Sequence, residues 1–240
     1  MKTVMVTGST RGLGFAITSR LVSDGYRVAA TGRTLTSELA DMLERCPEAL
    51  CFHPFDMKDV DEIQGLVKSV TAECGSIYGL VNNAAVGLDG VLGTMHNSDI
   101  EHLLRINSLA PIILTKYVSR SMMLNREGRI VNISSIIAST GFSGLATYAA
   151  SKASLEGFTK SLARELGRVN ITVNAVAPGY MQTEMTLGLD EEKLQTIKRR
   201  SPLRRLATPD EAAGAVSYLL SSDAAAITGT ILTVDGGSTC

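Results

Sequence analysis

The segment that most constrains the fold lies near the start of the chain, where a glycine-rich turn joins an apolar run to a helical pattern. Thr3–Thr7 is apolar and β-branched, as expected of a strand, and Phe15–Ser23 has helical spacing. Between them, the sequence GSTRGLG spans Gly8 to Gly14, with the spacing GxxxGxG rather than the commoner GxGxxG. A strand, a glycine turn and a helix in this order form the context in which helix N-terminal N–H groups bind a dinucleotide pyrophosphate. A flexible loop is the competing interpretation.

Each glycine of this segment has a separate expected purpose. Gly8 permits the tight turn, Gly12 lets the backbone approach the pyrophosphate, and Gly14 lets the helix pack closely on the strand. We therefore predict a phosphate-binding loop made of Gly8, Ser9, Thr10, Arg11, Gly12, Leu13 and Gly14.

The end of the second predicted strand indicates which dinucleotide is bound. An acid at this place would bind the ribose 2′-OH of NAD, but the strand 27–31 is followed by Gly32 and Arg33, and no acid appears until Glu38. Arg33 and Arg11 suit a 2′-phosphate instead, because guanidinium groups match phosphate oxygens. We predict NADP(H) as the cofactor; two solvated surface arginines are the alternative.

Strand-like runs alternate with helical patterns along the whole chain. Further strands are predicted at 50–54, 79–82, 129–133, 170–176 and 229–234, and further helices at 37–45, 59–73, 98–123, 148–168 and 209–221. This alternation predicts an α/β fold: a single-domain, Rossmann-like, doubly wound parallel sheet of about seven strands with helices on both faces. The domain is expected to span 1–240, with a substrate lid at about 180–207 that lacks a sheet period. This segment carries a basic cluster of Lys198, Arg199, Arg200, Arg204 and Arg205. Asp56, at the end of the third strand, suits either an adenine contact or a helix cap.

Tyr148 and Lys152 form a possible acid/base pair. They are four residues apart, so on a helix they share one face. A neighbouring ammonium stabilises a phenolate, and we therefore expect Lys152 to lower the pKa of Tyr148. An exposed amphipathic helix is the alternative explanation of this spacing alone.

Composition excludes several classes of function. The 240 residues carry a net charge of −1, so no nucleic acid or anionic membrane partner is expected. No apolar run approaches the ~20 residues of a membrane span. A strand beginning at Thr3 leaves no room for a signal peptide, and we expect a cytoplasmic protein with reduced cysteines. No metal site is predicted, because zinc-type spacing is absent among Cys46, Cys51, Cys74, Cys240, His53, His96 and His102.

Seven motifs in order resemble the short-chain dehydrogenase/reductase family over nearly the whole chain. They are TGSTRGLG (7–14), NNAA (82–85), Asn107, NISS (132–135), YAASK (148–152), NAVAPGYMQTEM (174–185) and VDGG (234–237). Ala85 stands where the family usually has glycine. Within the family, the chain looks most like the 3-oxoacyl-[acyl-carrier-protein] reductases and their close relatives.

The resemblance implies a catalytic set and further cofactor contacts. Asn107, Ser135, Tyr148 and Lys152 would be catalytic: Ser135 and Tyr148 would act on the substrate carbonyl, Lys152 would bond the nicotinamide ribose, and Asn107 would hold a water. Further cofactor contacts would come from Asn83, Ala84, Pro178, Gly179 and Thr183. Of these, Thr183 would hold the carboxamide group of the nicotinamide.

The resemblance also implies partners. Arg126 and Arg129 would dock an acidic acyl carrier protein, and the assembly would be a homotetramer or a dimer. Two other hypotheses remain open for the function. The protein could act by the same mechanism on a small ketone, a sugar or a steroid-like alcohol, or it could be an NADP(H)-binding sensor without turnover.

Overall fold

Seven parallel strands form one sheet within the described part of the chain. The computed structural model describes residues 1–181 and 191–240. The strands are β1 (Thr3–Thr7), β2 (Arg27–Gly32), β3 (Leu50–Pro54), β4 (Ile77–Asn82), β5 (Gly128–Ile133), β6 (Ile171–Pro178) and β7 (Ile231–Val234). Their order in the sheet is β3-β2-β1-β4-β5-β6-β7. The order reverses between β1 and β4, and a crevice is expected outside the carboxyl ends of the strands at such a point.

Helices cover both faces of this sheet, as predicted. They are α1 (Gly12–Ser23), α2 (Ser37–Arg45), α3 (Ile63–Cys74), α4 (Asn97–Leu104), α5 (Ala110–Asn125), α6 (Ile137–Thr140), α7 (Ala146–Leu166), α8 (Glu191–Arg200) and α9 (Pro209–Leu220). Apolar side chains of α1, α2 and α9 form one buried core with one face of the sheet, and those of α3, α5 and α7 form a second core with the other face. The strands are therefore apolar almost throughout, because they are buried on both sides.

The helix predicted at 98–123 is interrupted in the structure. A π-helical turn, Arg105–Leu109, joins α4 to α5. Asn107 lies in this turn, and its side chain bonds the backbone of Val86 rather than facing solvent. A π turn widens the helix locally and re-aims its side chains, so the break places Asn107 toward the crevice.

A capping box fixes the start of α9. The Thr208 hydroxyl accepts a hydrogen bond from Glu211 N, and Thr208 N donates to Glu211 Oε2, which together form a capping box.

Among the helices that the structure describes, none is both long and apolar enough to cross a membrane.

Two of the four cysteines lie side by side, a contact that the prediction of reduced cysteines did not include. The sulfur atoms of Cys51 and Cys74 are paired between β3 and the end of α3, whereas Cys46 and Cys240 are free. Sequence spacing did not indicate this contact, because the two residues are 23 positions apart and only the packing of α3 on β3 brings them together.

Candidate active site

A cleft of about 860 Å³ runs across the carboxyl ends of the central strands. Most of the predicted site residues line it, namely Gly8, Thr10, Arg11, Gly12, Leu13, Gly14, Arg33, Asp56, Asn83, Ala84, Ser135, Tyr148, Lys152, Pro178 and Gly179. Ser9 and Asn107 lie behind its wall, and Thr183 is outside the described residues.

The glycine turn leaves the N-terminus of α1 open. Gly8 has φ +66°, a left-handed conformation that favours glycine. A Cβ on Gly14 would lie 1.9 Å from Gly8 O, so the close approach of helix and turn requires glycine there. Arg11 occupies the N-cap position of α1 without a side-chain capping hydrogen bond. The close approach keeps the N-terminus of α1 at the turn, where its first-turn N–H groups fit a pyrophosphate.

Asn83 ties the glycine turn to the end of β4. Its Nδ2 donates to Thr7 O at 2.8 Å and to Gly8 O at 3.1 Å. The Thr7 hydroxyl accepts hydrogen bonds from the backbone N–H groups of Asn83 and Ala84. This network fixes the two strands that flank the crevice, and Thr7 is a member that the sequence analysis did not single out. Its place at a strand end, directly before the glycines, was the available signal.

Ser9, which was predicted as part of the phosphate-binding loop, does not line the cleft. Its side chain is fully buried, and its hydroxyl donates to Val6 O at 2.6 Å. Its backbone N–H donates to Thr31 O at 2.9 Å. Ser9 turns into the sheet because these two carbonyl groups need donors, and it therefore positions the loop from behind.

The positions of Arg11, Arg33 and Asp56 are compatible with both interpretations given for each of them from the sequence. The exposed side chains of Arg11 and Arg33 lie on the rim of the cleft, where a 2′-phosphate would be expected. Asp56 also lines the cleft, while its Oδ1 accepts a hydrogen bond from Lys58 N at 3.0 Å. Asp56 therefore shapes the following turn and also lines the cleft.

Ser135 and Tyr148 both line the cleft, and Ser135 is close enough to act on the phenol. Burial raises the pKa of Tyr148 to about 12, and the neighbouring Ser135 hydroxyl offsets only part of that rise. The expected lowering of the Tyr148 pKa is therefore not found: burial is the largest cause of the shift, and Ser135, not Lys152, is the group that lowers the pKa. At neutral pH the phenol keeps its proton, which suits a proton donor.

Lys152 lies behind Tyr148, with Nζ 5.8 Å from the centre of the phenol ring. Its Nζ donates a hydrogen bond to Ile133 O at 2.8 Å. Burial lowers the pKa of Lys152 to about 8. The side chain is thus held by the end of β5 and loses its proton far more readily than a surface lysine.

Asn107 acts on the cleft through Val86. Its Oδ1 accepts from Val86 N and its Nδ2 donates to Val86 O, both at 2.9 Å. A further hydrogen bond of 3.2 Å joins Nδ2 to the hydroxyl of Ser151. Since Val86 lines the cleft, Asn107 fixes that wall to α7.

Arg129 cannot serve the docking role that the resemblance implies. It is only 4% exposed, and its guanidinium lies over the Tyr78 ring and donates to Gly128 O. It is buried because it lies within β5, under the helices. Arg126 is exposed, but it precedes β5 at the edge of the sheet opposite the cleft.

Comparisons with known proteins agree with this geometry. A family model described as Enoyl-(Acyl carrier protein) reductase matches residues 8–239. The chain is 39% identical to the 3-oxoacyl-[acyl-carrier-protein] reductase MabA of Mycobacterium tuberculosis, over 98% of this chain and 92% of that protein. It is also 39% identical to the reductase FabG of Vibrio harveyi, which shares that activity in its name, over 98% and 96%. A solved structure, ElxO with NADP bound, superimposes with a TM-score of 0.91 at 29% identity, covering 99% of this chain and 98% of that one.

Proposed function

The chain belongs to the short-chain dehydrogenase/reductase family, and we propose that it reduces the keto group of 3-oxoacyl thioesters. It is an NADP(H)-dependent oxidoreductase. The observation that carries the proposed chemistry is the placement of Ser135, Tyr148 and Lys152 together on the lining of a cleft that begins at a glycine turn.

The cofactor fits the residues at the other end of the cleft. The first turn of α1, which has no side-chain cap, suits its pyrophosphate, and Arg33 suits its 2′-phosphate. When bound, NADPH supplies the hydride that adds to the carbonyl carbon of the substrate.

The chain's own residues handle the carbonyl oxygen. Ser135 donates a hydrogen bond to this oxygen and polarises the carbonyl group. Tyr148 transfers its proton to the same oxygen as negative charge develops there. Because burial raises the Tyr148 pKa to about 12, the proton is present throughout the neutral range. Lys152 supports the pair from behind, and the network around Asn107 holds the facing wall.

The substrate class follows from the relatives' names and is tested by a substrate panel. We expect NADPH-dependent reduction of a 3-oxoacyl thioester, with little activity on the matching trans-2-enoyl thioester or on a sugar acid. The same panel run with NADH compares the two cofactors. Preferred reduction of the enoyl thioester would contradict the proposal, and so would turnover of simple ketones or sugars with no activity on any 3-oxoacyl thioester.

A further inference from the structure

A cluster of four potential metal ligands lies between β3 and the end of α3. Cys51 and His53 are two positions apart on β3, so their side chains point to the same face of the strand. Glu73 and Cys74 end the helix that packs on that face. One ligand atom from each residue lies within 4.8 Å of the others. None of the four lines the cleft, so the cluster is separate from the candidate active site.

His53 has an unsatisfied nitrogen that faces this cluster. The residue is 7% exposed, and within the described part of the chain its Nε2 makes no hydrogen bond. Nε2 lies 3.3 Å from Glu73 Oε2, and Nδ1 lies 3.4 Å from the hydroxyl of Ser69. A buried polar atom without a partner costs free energy. A metal ion at Nε2 would satisfy it, while Ser69 orients the ring from the other side, as outer partners of metal-bound histidines do.

The spacing of the two cysteines fits a shared ion better than a direct bond. Their Cα atoms are 7.7 Å apart. Disulfides usually join Cα atoms about 4.4–6.8 Å apart, and wider pairs need backbone movement. Two thiolates that bind one ion have no such requirement. Cys51 Sγ also lies 3.7 Å from Val28 O, a weak thiol contact that metal binding would replace.

We propose that Cys51, His53, Glu73 and Cys74 bind one zinc ion as a structural site. Two thiolates, an imidazole and a carboxylate are ligands that zinc accepts in tetrahedral geometry, whereas magnesium and calcium prefer oxygen ligands alone. Binding releases the two thiol protons and involves no change of oxidation state. Three anionic ligands leave one excess negative charge, and the Glu73 side chain, 54% exposed, places it next to water. Four protein ligands close the site, so the ion would tie α3 to β3.

The test uses the untagged full chain, reduced with a phosphine and stripped with a chelator. Zinc is then returned in competition with a chromophoric chelator, and Co²⁺ is added to a second sample. We expect about one zinc per chain, a higher Tm with zinc, and the thiolate-to-cobalt charge-transfer band of a tetrahedral sulfur site. Cys51→Ser should lose the band and weaken zinc binding at least tenfold. The matched control Cys46→Ser removes a free cysteine outside the cluster and should change neither.

Glu73→Gln keeps the test decisive if Cys51→Ser does not fold. This ligand is exposed, so the apo variant should unfold at the wild-type temperature while its zinc affinity falls. The proposal is overturned if the reduced chain binds no zinc, if Cys51→Ser or Glu73→Gln binds zinc as tightly as wild type, or if peptide mapping of the purified protein finds a Cys51–Cys74 disulfide and no metal.

Discussion

Lys152 carries the clearest pH dependence at the scale of single residues. Burial lowers its pKa from 10.5 to about 8, so between these values the unfolded chain binds more protons than the folded chain. The free energy of unfolding should therefore rise with pH from about 8 toward 10, below the range in which Tyr148 loses its proton. We predict that Lys152→Met flattens this rise. Urea unfolding across that range measures both slopes, and equal slopes in the two proteins would contradict the account.

Arg33 is expected to decide between the two cofactors. Its exposed guanidinium on the cleft rim would pair with a 2′-phosphate, and hydrogen bonds to charged groups contribute about 1.5–3 kcal/mol. Arg33→Ala should therefore raise the KM for NADPH about 10- to 100-fold and leave the KM for NADH nearly unchanged. Steady-state kinetics with both cofactors tests this. An equal rise for both would show that Arg33 acts on the loop as a whole.

Residue identity was easier to predict than residue environment. Tyr148, Lys152 and Ser135 were found from their motifs, and all three line the cleft. The direction of the Tyr148 pKa was predicted wrongly, because the spacing of two residues carries no information about how strongly the fold desolvates them. The burial of Ser9 and Arg129 was missed for the same reason.

The turn between β1 and α1 gives a prediction at the scale of elements. A Cβ on Gly14 would meet a backbone oxygen that cannot move without opening the turn. Gly14→Ala should destabilise the fold by about 1–3 kcal/mol and weaken NADPH binding. The control Gly65→Ala lies within α3, where an added Cβ has nothing within 4 Å, and it should stabilise by about 0.5–1 kcal/mol. Urea unfolding and NADPH titration compare the two, and similar results for both variants would contradict the close-approach argument.

The strands and helices could be predicted from the periodicity of hydrophobic residues, whereas the irregular elements could not. The seven predicted strands are present, each within two residues of its predicted ends. The π turn at Arg105–Leu109 was missed because helical period continues through it, although the unfavourable mid-helix Asn107 marked the place. The Cys51 and His53 cluster was missed because its ligands come from two elements, so no linear spacing reveals it.

At the scale of the whole molecule, the cleft and Arg126 lie at opposite ends of the parallel strands. The cleft lies at the carboxyl ends, while Arg126 lies at the amino end of β5. We expect a carrier protein that delivers substrate to this cleft to dock at the basic last turn of α8 instead, because Ala207, seven positions after that turn, pairs with the cleft residue Met181. Arg205 is already paired with Glu211.

Charge reversal on α8 tests that route. The double variant Arg199→Glu/Arg200→Glu should lower kcat/KM for a carrier-linked 3-oxoacyl substrate about tenfold at low ionic strength, with a smaller effect at high salt. A short neutral thioester analogue should be unaffected. Arg126→Glu, at the opposite edge, serves as the control. A loss confined to Arg126→Glu would contradict docking at α8.

The most direct test of the account is the activity of Tyr148→Phe, which removes only the hydroxyl that donates the proton. Positioned proton transfer contributes about 10²–10⁴-fold, so kcat for 3-oxoacyl thioester reduction should fall by at least a hundredfold. NADPH affinity, measured by fluorescence titration, should stay within about twofold, because the glycine turn and Arg33 are untouched. Turnover retained near the wild-type rate would remove Tyr148 from the chemistry and contradict the central claim.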